Sequence, residues 1–114
     1  MIKFVGLINR KPDLSVAAFL EHWQQRHGPI VARVPGVRRY VQSPTLPRWY
    51  ERRTPPAYDG MAELWFDDWE AWQAALRSPE WQAVQADEEN FVDRARSTLI
   101  WTDERVIVGE HLPH

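Results

Sequence analysis

Val16, Phe19, Leu20, Trp23 and His27 fall at the i, i+3, i+4, i+7, i+11 spacing of one helix face. The stripe predicts a helix from about Val16 to His27. Ser15 suits its N-cap, and Leu14 and Phe19 occupy the two positions of a hydrophobic staple. His27 therefore continues the apolar stripe rather than the wet face. Gly28 and Pro29 are expected to stop or re-aim the chain, because Gly tolerates positive φ and Pro disfavours a helical residue before it. Pro29 also fits the first position of a further turn over 30–34.

The strands are read from the period-2 pattern and from apolar runs. Residues 2–9 form one, rich in Ile, Phe, Val and Leu, and Lys11-Pro12-Asp13 makes a turn after it. After a Pro35-Gly36 turn, Val37 to Ser43 alternates Val37, Arg39 and Val41 against Arg38, Tyr40 and Gln42. Residues 59–66 put Met61, Glu63 and Trp65 on one side and Ala62, Leu64 and Phe66 on the other. Residues 98–109 read as a long or bent last strand. Asp67 with Glu70 fits a capping box for a second helix whose inner face would carry Trp69, Trp72, Gln73 and Leu76. Ser78 and Pro79 start another helix, and Asp87 is read as the cap of one more turn carrying Phe91. Between the second and third strands lies a Pro-rich loop of about fifteen residues, 44–58, a length typical of functional lids or disordered segments.

The order β-α-β-β-α-β is that of an α+β, ferredoxin-like domain with both helices on one face of a four-stranded antiparallel sheet. The other face would then carry Trp65 and Met61 and needs a cover. A second copy related by a two-fold axis is the simplest one, so a homodimer enclosing a cavity between two sheets is expected.

The chain's 114 residues suffice for one domain, assigned to 1–110, with 111–114 expected as a flexible C-terminal tail. Hydrophobic residues at 44% and charged residues at 26% fit a folded globule. A net charge of −2 offers no basic surface for phosphate backbones, so nucleic acid is not an expected partner. The absence of cysteine removes disulfides, thiolate metal sites and thiol nucleophiles together. The apolar run at 2–8 is short, interrupted by Lys3 and followed by no cleavage site, so it reads as a strand and not a leader. No stretch approaches the ~18–20 apolar residues that span a bilayer. A cytoplasmic protein without a membrane partner is the expectation. Seven tryptophans are enough to wall a cavity or an interface besides filling a core.

Phe19-Leu20-Glu21-His22-Trp23 leading to His27-Gly28-Pro29, then Pro35-Gly36-Val37-Arg38-Arg39-Tyr40-Val41-Gln42, carry a resemblance. So do Tyr58 to Phe66, Ser78-Pro79-Glu80-Trp81, and Asp87 to Asp93. Taken in order, these motifs resemble the EthD-like family of dimeric α+β barrel proteins over residues 2–109. The resemblance implies a homodimer with pockets in or beside the shared barrel. Relatives include muconolactone isomerases, methylmuconolactone methylisomerases, polyketide cyclases, anthrone oxygenases and fungal pigment dehydratases. Most act without metal or organic cofactor, so none is expected here. Methylisomerase-like members use a histidine and a tyrosine at the positions of His27 and Tyr40. They also use a cysteine, which this chain lacks, and that departure counts against the methylisomerase reaction itself.

Read as side chains, His27 offers proton chemistry near neutral pH, against a plain capping or packing role. Tyr40 can donate to a carbonyl or enolate oxygen, or serve an interface. Glu63, between Met61 and Trp65, can exchange a proton or pair with Arg38 or Arg39. In the Pro-rich loop, Arg48 and Trp49 can grip and stack on an acidic or phenolic ring, or simply be solvated. His22 lies off the apolar stripe and is expected to be exposed, and His111 and His114 lie in the tail. No H-x-H or H-E-x-x-H spacing appears, so no metal site is expected.

The expected catalytic residues are thus His27, Tyr40 and Glu63, with Arg38, Trp65, Trp49, Arg48 and Met61 binding a small-molecule substrate. The leading expectation is a cofactor-independent isomerase, cyclase or dehydratase/lyase acting by general acid/base chemistry on an oxygenated ring compound, such as an aromatic polyketide or lactone. A cofactor-free oxygenase and a non-enzymatic ligand-binding accessory protein of a catabolic pathway are the alternatives.

Overall fold

The computed structural model describes residues 1–110. The tail expected at 111–114 lies outside the described residues. Four strands, β1 (Ile2–Ile8), β2 (Arg39–Pro44), β3 (Gly60–Phe66) and β4 (Thr98–Thr102), form one antiparallel sheet in the order β2-β3-β1-β4. This is the ferredoxin-like α+β arrangement.

Register decides which side chains share a face. Phe4 pairs with Leu64, Gly6 with Ala62 and Ile8 with Gly60, while Tyr40 and Gln42 of β2 also oppose Leu64 and Ala62. These residues all point to the helices. Phe4, Leu64 and Phe66 pack there against Trp72, Ala75, Trp81, Val84, Val31 and Val34. A second cluster joins Ile8 to Phe19, Trp23, Phe91 and Val92.

The first helix begins as predicted. In α1 (Val16–Glu21), Ser15 Oγ accepts from Ala18 N at 3.0 Å, and Leu14 packs on the cluster that holds Phe19. The chain then widens into a π-helical turn over His22–His27 and continues as α2 (Gly28–Val31). Gly28 and Pro29 therefore do not stop the helix, and Gly28 stays right-handed at φ −50°. Pro29 has no amide hydrogen, and its ring would collide with the carbonyl four residues back in a straight α-helix. The widened turn relieves both problems. The positive φ expected of a turn glycine belongs to Gly36, at +85°.

Helix α3 (Trp69–Leu76) is capped by Asp68, whose carboxylate accepts from Ala71 N at 2.8 Å, one residue later than the Asp67–Glu70 box predicts. Its buried side chains are Trp72 and Ala75. Trp69 and Leu76 are exposed, because the short helix meets the sheet along the line that small Ala75 allows. Ser78 caps α4 (Pro79–Glu88) and accepts from Trp81 N at 3.1 Å, as the sequence predicts. Asp87 lies inside α4 rather than at the start of a new turn. The last strand ends at Thr102, well short of 109. Thr102 already pairs with Lys3, so β1 has almost no partner left to offer.

The 44–58 loop contains a 3₁₀ turn, Pro47–Glu51, and is pinned at its base by Asp59. Tyr50 Oη donates to Asp59 Oδ1 at 2.6 Å, Arg10 Nη1 donates to the same atom at 2.6 Å, and Arg10 N donates to Oδ2 at 2.8 Å.

The sheet face away from the helices carries Lys3, Val5, Leu7, Arg39, Val41, Met61, Glu63 and Trp65. It is less bare than expected. Trp65 is buried within the one chain, flanked by Lys3 Nζ at 5.1 Å and Arg39 Cζ at 4.8 Å, and its Nε1 donates to Glu104 at 2.7 Å.

Gly60 ties the sheet to the first helix. A Cβ there would lie 2.6 Å from Trp23 Cζ3, 2.7 Å from Cη2 and 3.2 Å from the Ser43 carbonyl. Gly60→Ala is therefore expected to destabilise the fold by about 1–3 kcal/mol, an overpacking cost. Urea denaturation measures it, and an unchanged midpoint would show that Trp23 yields freely.

Candidate active site

Small side chains open the site. Gly6 and Ala62 face each other across β1 and β3 and leave a hollow on the helix side of the sheet. Trp23, Trp81, Phe91, Val84 and Leu64 wall it, and His27, Tyr40 and Glu88 are its polar lining. The cavity volume is about 40 Å³, and about 440 Å³ when all the space out to the open mouth is counted.

His27 is 5% exposed. Its Nδ1 lies 2.7 Å from Asp87 Oδ2, and its ring stands edge-on to Phe91 at 4.7 Å. Burial pushes the Asp87 carboxyl up, but hydrogen bonds from His27, Asn90 and His22 outweigh this and hold it below its ordinary value. An ionised carboxylate only accepts, so Nδ1–H donates and Nε2 keeps its lone pair. Nε2 has no hydrogen-bond partner among the described residues. Burial also lowers the pKa of His27, against the opposing pull of Asp87, so the ring is a neutral base at neutral pH.

Tyr40 presents the complementary group. Burial pushes its phenol up to about 12, although hydrogen bonding with Gln42 and Trp23 pulls the other way. Gln42 Nε2 donates to Tyr40 Oη at 2.7 Å and to the Trp23 carbonyl at 2.9 Å. The phenolic proton is thereby left for an oxygen in the cavity.

Glu88 supplies a carboxyl raised by burial, with the facing Arg94 partly offsetting that rise. Trp81 Nε1 is buried and has no hydrogen-bond partner among the described residues. An unsatisfied buried donor costs about 1–3 kcal/mol, which an acceptor oxygen would recover.

Of the residues expected to form the site, His27 and Tyr40 share this cavity. Glu63, Met61 and Trp65 lie on the opposite face of the sheet, because residues adjacent in a strand point to opposite sides. Glu63 accepts from Lys3 Nζ at 2.9 Å, not from Arg38 or Arg39. Arg38 is exposed and pairs with Asp67 at 3.0 Å. Arg48 and Trp49 are exposed on the loop, where Arg52 covers the Trp49 ring at 5.1 Å. His27 therefore does not border a hollow between two sheets. It lies on the other side of its own sheet, between strands and helices of one chain.

Sequence reasoning missed Glu88, Asp87, His22 and Trp81. The signal for Glu88 was present, since Trp81, Val84, Glu88 and Phe91 follow helical spacing on one buried stripe. His22 is half-buried against Asp87 rather than exposed. No group of three or more His, Asp or Glu side chains among the described residues has an arrangement that could hold a metal ion. No helix among them is long and apolar enough to cross a membrane.

The fold is a ferredoxin-like α+β domain, with this cavity on the helix side of its sheet. The EthD domain model matches residues 11–95, and the chain belongs to that family. A Rhodococcus erythropolis relative, an uncharacterised 11.0 kDa protein of the thcB–thcC intergenic region, is 33% identical over 92 residues, covering 81% of this chain and 85% of its own. An EthD family protein from Bacillus halodurans superposes with TM-score 0.73 at 26% identity, covering 92% and 99% of the two chains. A dimeric ferredoxin-like protein of unknown function from Thermobifida fusca gives 0.68 at 15%, covering 89% and 88%. SnoaB, a cofactor-independent oxygenase from Streptomyces nogalater, gives 0.65 at 18%, covering 96% and 97%.

The two depressed pKa values act on stability in one direction. Asp87 contributes above its unfolded carboxylate range and loses that contribution as pH falls through its folded value. His27 resists protonation when folded, so acid favours the unfolded chain from about pH 6.5 downward. The urea midpoint is expected to fall on acidification below about pH 6.5, with a shallower fall in His27→Phe over the first unit. Parallel profiles for the two proteins would remove His27 as the cause.

Proposed function

We propose that the cavity between helices and sheet is the active site of a cofactor-independent enzyme that moves protons on a small oxygenated ring compound. The observation that carries this reading is the buried His27 lining the cavity, with no partner for Nε2 among the described residues and its other nitrogen held by Asp87. Nε2 takes a proton from carbon next to a carbonyl. Tyr40 donates a hydrogen bond to the enolate oxygen that forms, and Glu88, whose carboxyl burial raises above its ordinary value, returns a proton at another carbon or at a leaving hydroxyl. The first outcome is isomerisation, the second dehydration. Aromatic walls fit a flat ring, and the Trp81 N–H, without a partner among the described residues, calls for a second oxygen on it.

The likeness to SnoaB supports a second outcome from the same first step, in which the substrate carbanion reacts with O₂. As a homodimer, the chain would cover Val41, Met61 and Ile100 on the face away from the site. The non-enzymatic alternative requires the same cavity to bind without turnover.

The test is proton exchange in D₂O, followed by NMR, on anthrone, a hydroxynaphthoquinone and an unsaturated lactone, with an oxygen electrode run in parallel. Catalysed exchange at the acidic C–H of one ring is expected, falling by ~10²-fold or more in His27→Ala and markedly in Tyr40→Phe. Glu63→Gln is expected to leave it unchanged. Oxygen uptake would select the oxygenase outcome, and exchange undiminished in His27→Ala would remove the imidazole from the chemistry.

A further inference from the structure

Two imidazoles share one carboxylate. His22 Nε2 lies 3.0 Å from Asp87 Oδ1 and 3.1 Å from Oδ2, while His27 Nδ1 holds Oδ2 at 2.7 Å. Asn90 Nδ2 donates to Oδ1 at 3.1 Å. The carboxylate thus receives three donors and has little freedom to turn.

His22 and His27 are five residues apart. In an α-helix, at about 100° per residue, they would point about 140° apart and could not meet the same group. In a turn closed by i→i+5 hydrogen bonds, the wider winding brings residues i and i+5 toward the same side. The turn here spans His22–His27, and the Gly28 amide closes it onto the Trp23 carbonyl. Phe91 contacts both rings, at 4.8 Å and 4.7 Å, and walls the group off on that side.

We propose that His22 is a positioning residue that acts on His27 through Asp87, fixing the carboxylate and drawing off part of its negative charge so that it holds the His27 proton less tightly. The inference rests on the reading of His27 as the base. It assigns to His22 no contact with substrate, since His22 is not among the residues lining the cavity.

The charged and titratable groups around His27 are few. Asp87 raises its pKa, and His22 lowers it by like charge. Glu88 and Tyr40 line the same cavity, and Arg94 is engaged by Glu88. Removing His22 removes the repulsion and leaves Asp87 wholly to His27. Both changes push His27 the same way, toward easier protonation.

The experiment needs no substrate. The full chain, labelled with ¹⁵N-histidine, is titrated by NMR, and the His27 signals are assigned by their loss in His27→Gln. The His27 midpoint is expected to rise by about half a unit or more in His22→Gln and in His22→Phe. It is expected to fall in Asp87→Asn, and adding His22→Gln to Asp87→Asn should then raise it by clearly less than in the native background, since only the direct repulsion is left to remove. A His27 midpoint that stays put in His22→Gln overturns the proposal. So does a rise of full size in the Asp87→Asn background, which would mean that His22 acts directly. If one His22 variant fails to fold, its collapsed amide dispersion shows it, and the other carries the comparison. Absence of turnover would sink the proposed function while leaving this titration to stand or fall by itself.

Discussion

Closing hydrogen bonds over five residues instead of four gives a helix poorer geometry, and π turns stay rare and short for that reason. This chain accepts one at His22–His27, and the arrangement of the site follows from it. The wide turn admits Pro29, carries the helix on to Val31, and brings the Trp23 ring close against Gly60. It also stacks two imidazoles over one helix partner, Asp87. A regular helix would give up either the proline or the shared carboxylate.

The sheet separates two kinds of environment by the pleat alone. Its helix side is aromatic, and the three polar side chains that reach the hollow are a histidine, a phenol and a carboxyl. Its other side is organised by charge, with Lys3 between Glu63 and Glu104 and a cation on each side of Trp65. Tyr40 and Val41, one bond apart in the chain, therefore serve different purposes. A polar cluster beside an apolar cavity is costly unless its members satisfy one another, and the donors on the Asp87 carboxylate do so, leaving His27 Nε2 to the cavity.

Much of this was legible in the sequence because it is local. Element order, the Ser15 and Ser78 caps and the placing of His27 on a buried face rest on spacing over a few residues. Family resemblance added Tyr40 beside it. What was not legible depends on long-range placement. Glu63 was grouped with His27 because the strand pattern tells which residues share a face but not which face meets the helices. Asp87 read as a cap because an acidic residue near a helix end usually is one. Its partners lie 60 and 65 positions away and meet it only after α4 docks on the widened turn. His22 was placed on the wet side by a 3.6-residue count that the turn itself breaks. Glu88 is legible on its stripe with Trp81, Val84 and Phe91.

The contact between Trp23 and Gly60 has a consequence for how such a cavity can diversify. The indole occupies the volume that any side chain at position 60 would need, and the same indole walls the hollow. The two positions are coupled by exclusion. A descendant that trims the ring gains both a roomier chamber and freedom at the strand's first residue. One that adds bulk to the strand without trimming the ring pushes the first helix, and the imidazole it carries, away from the sheet.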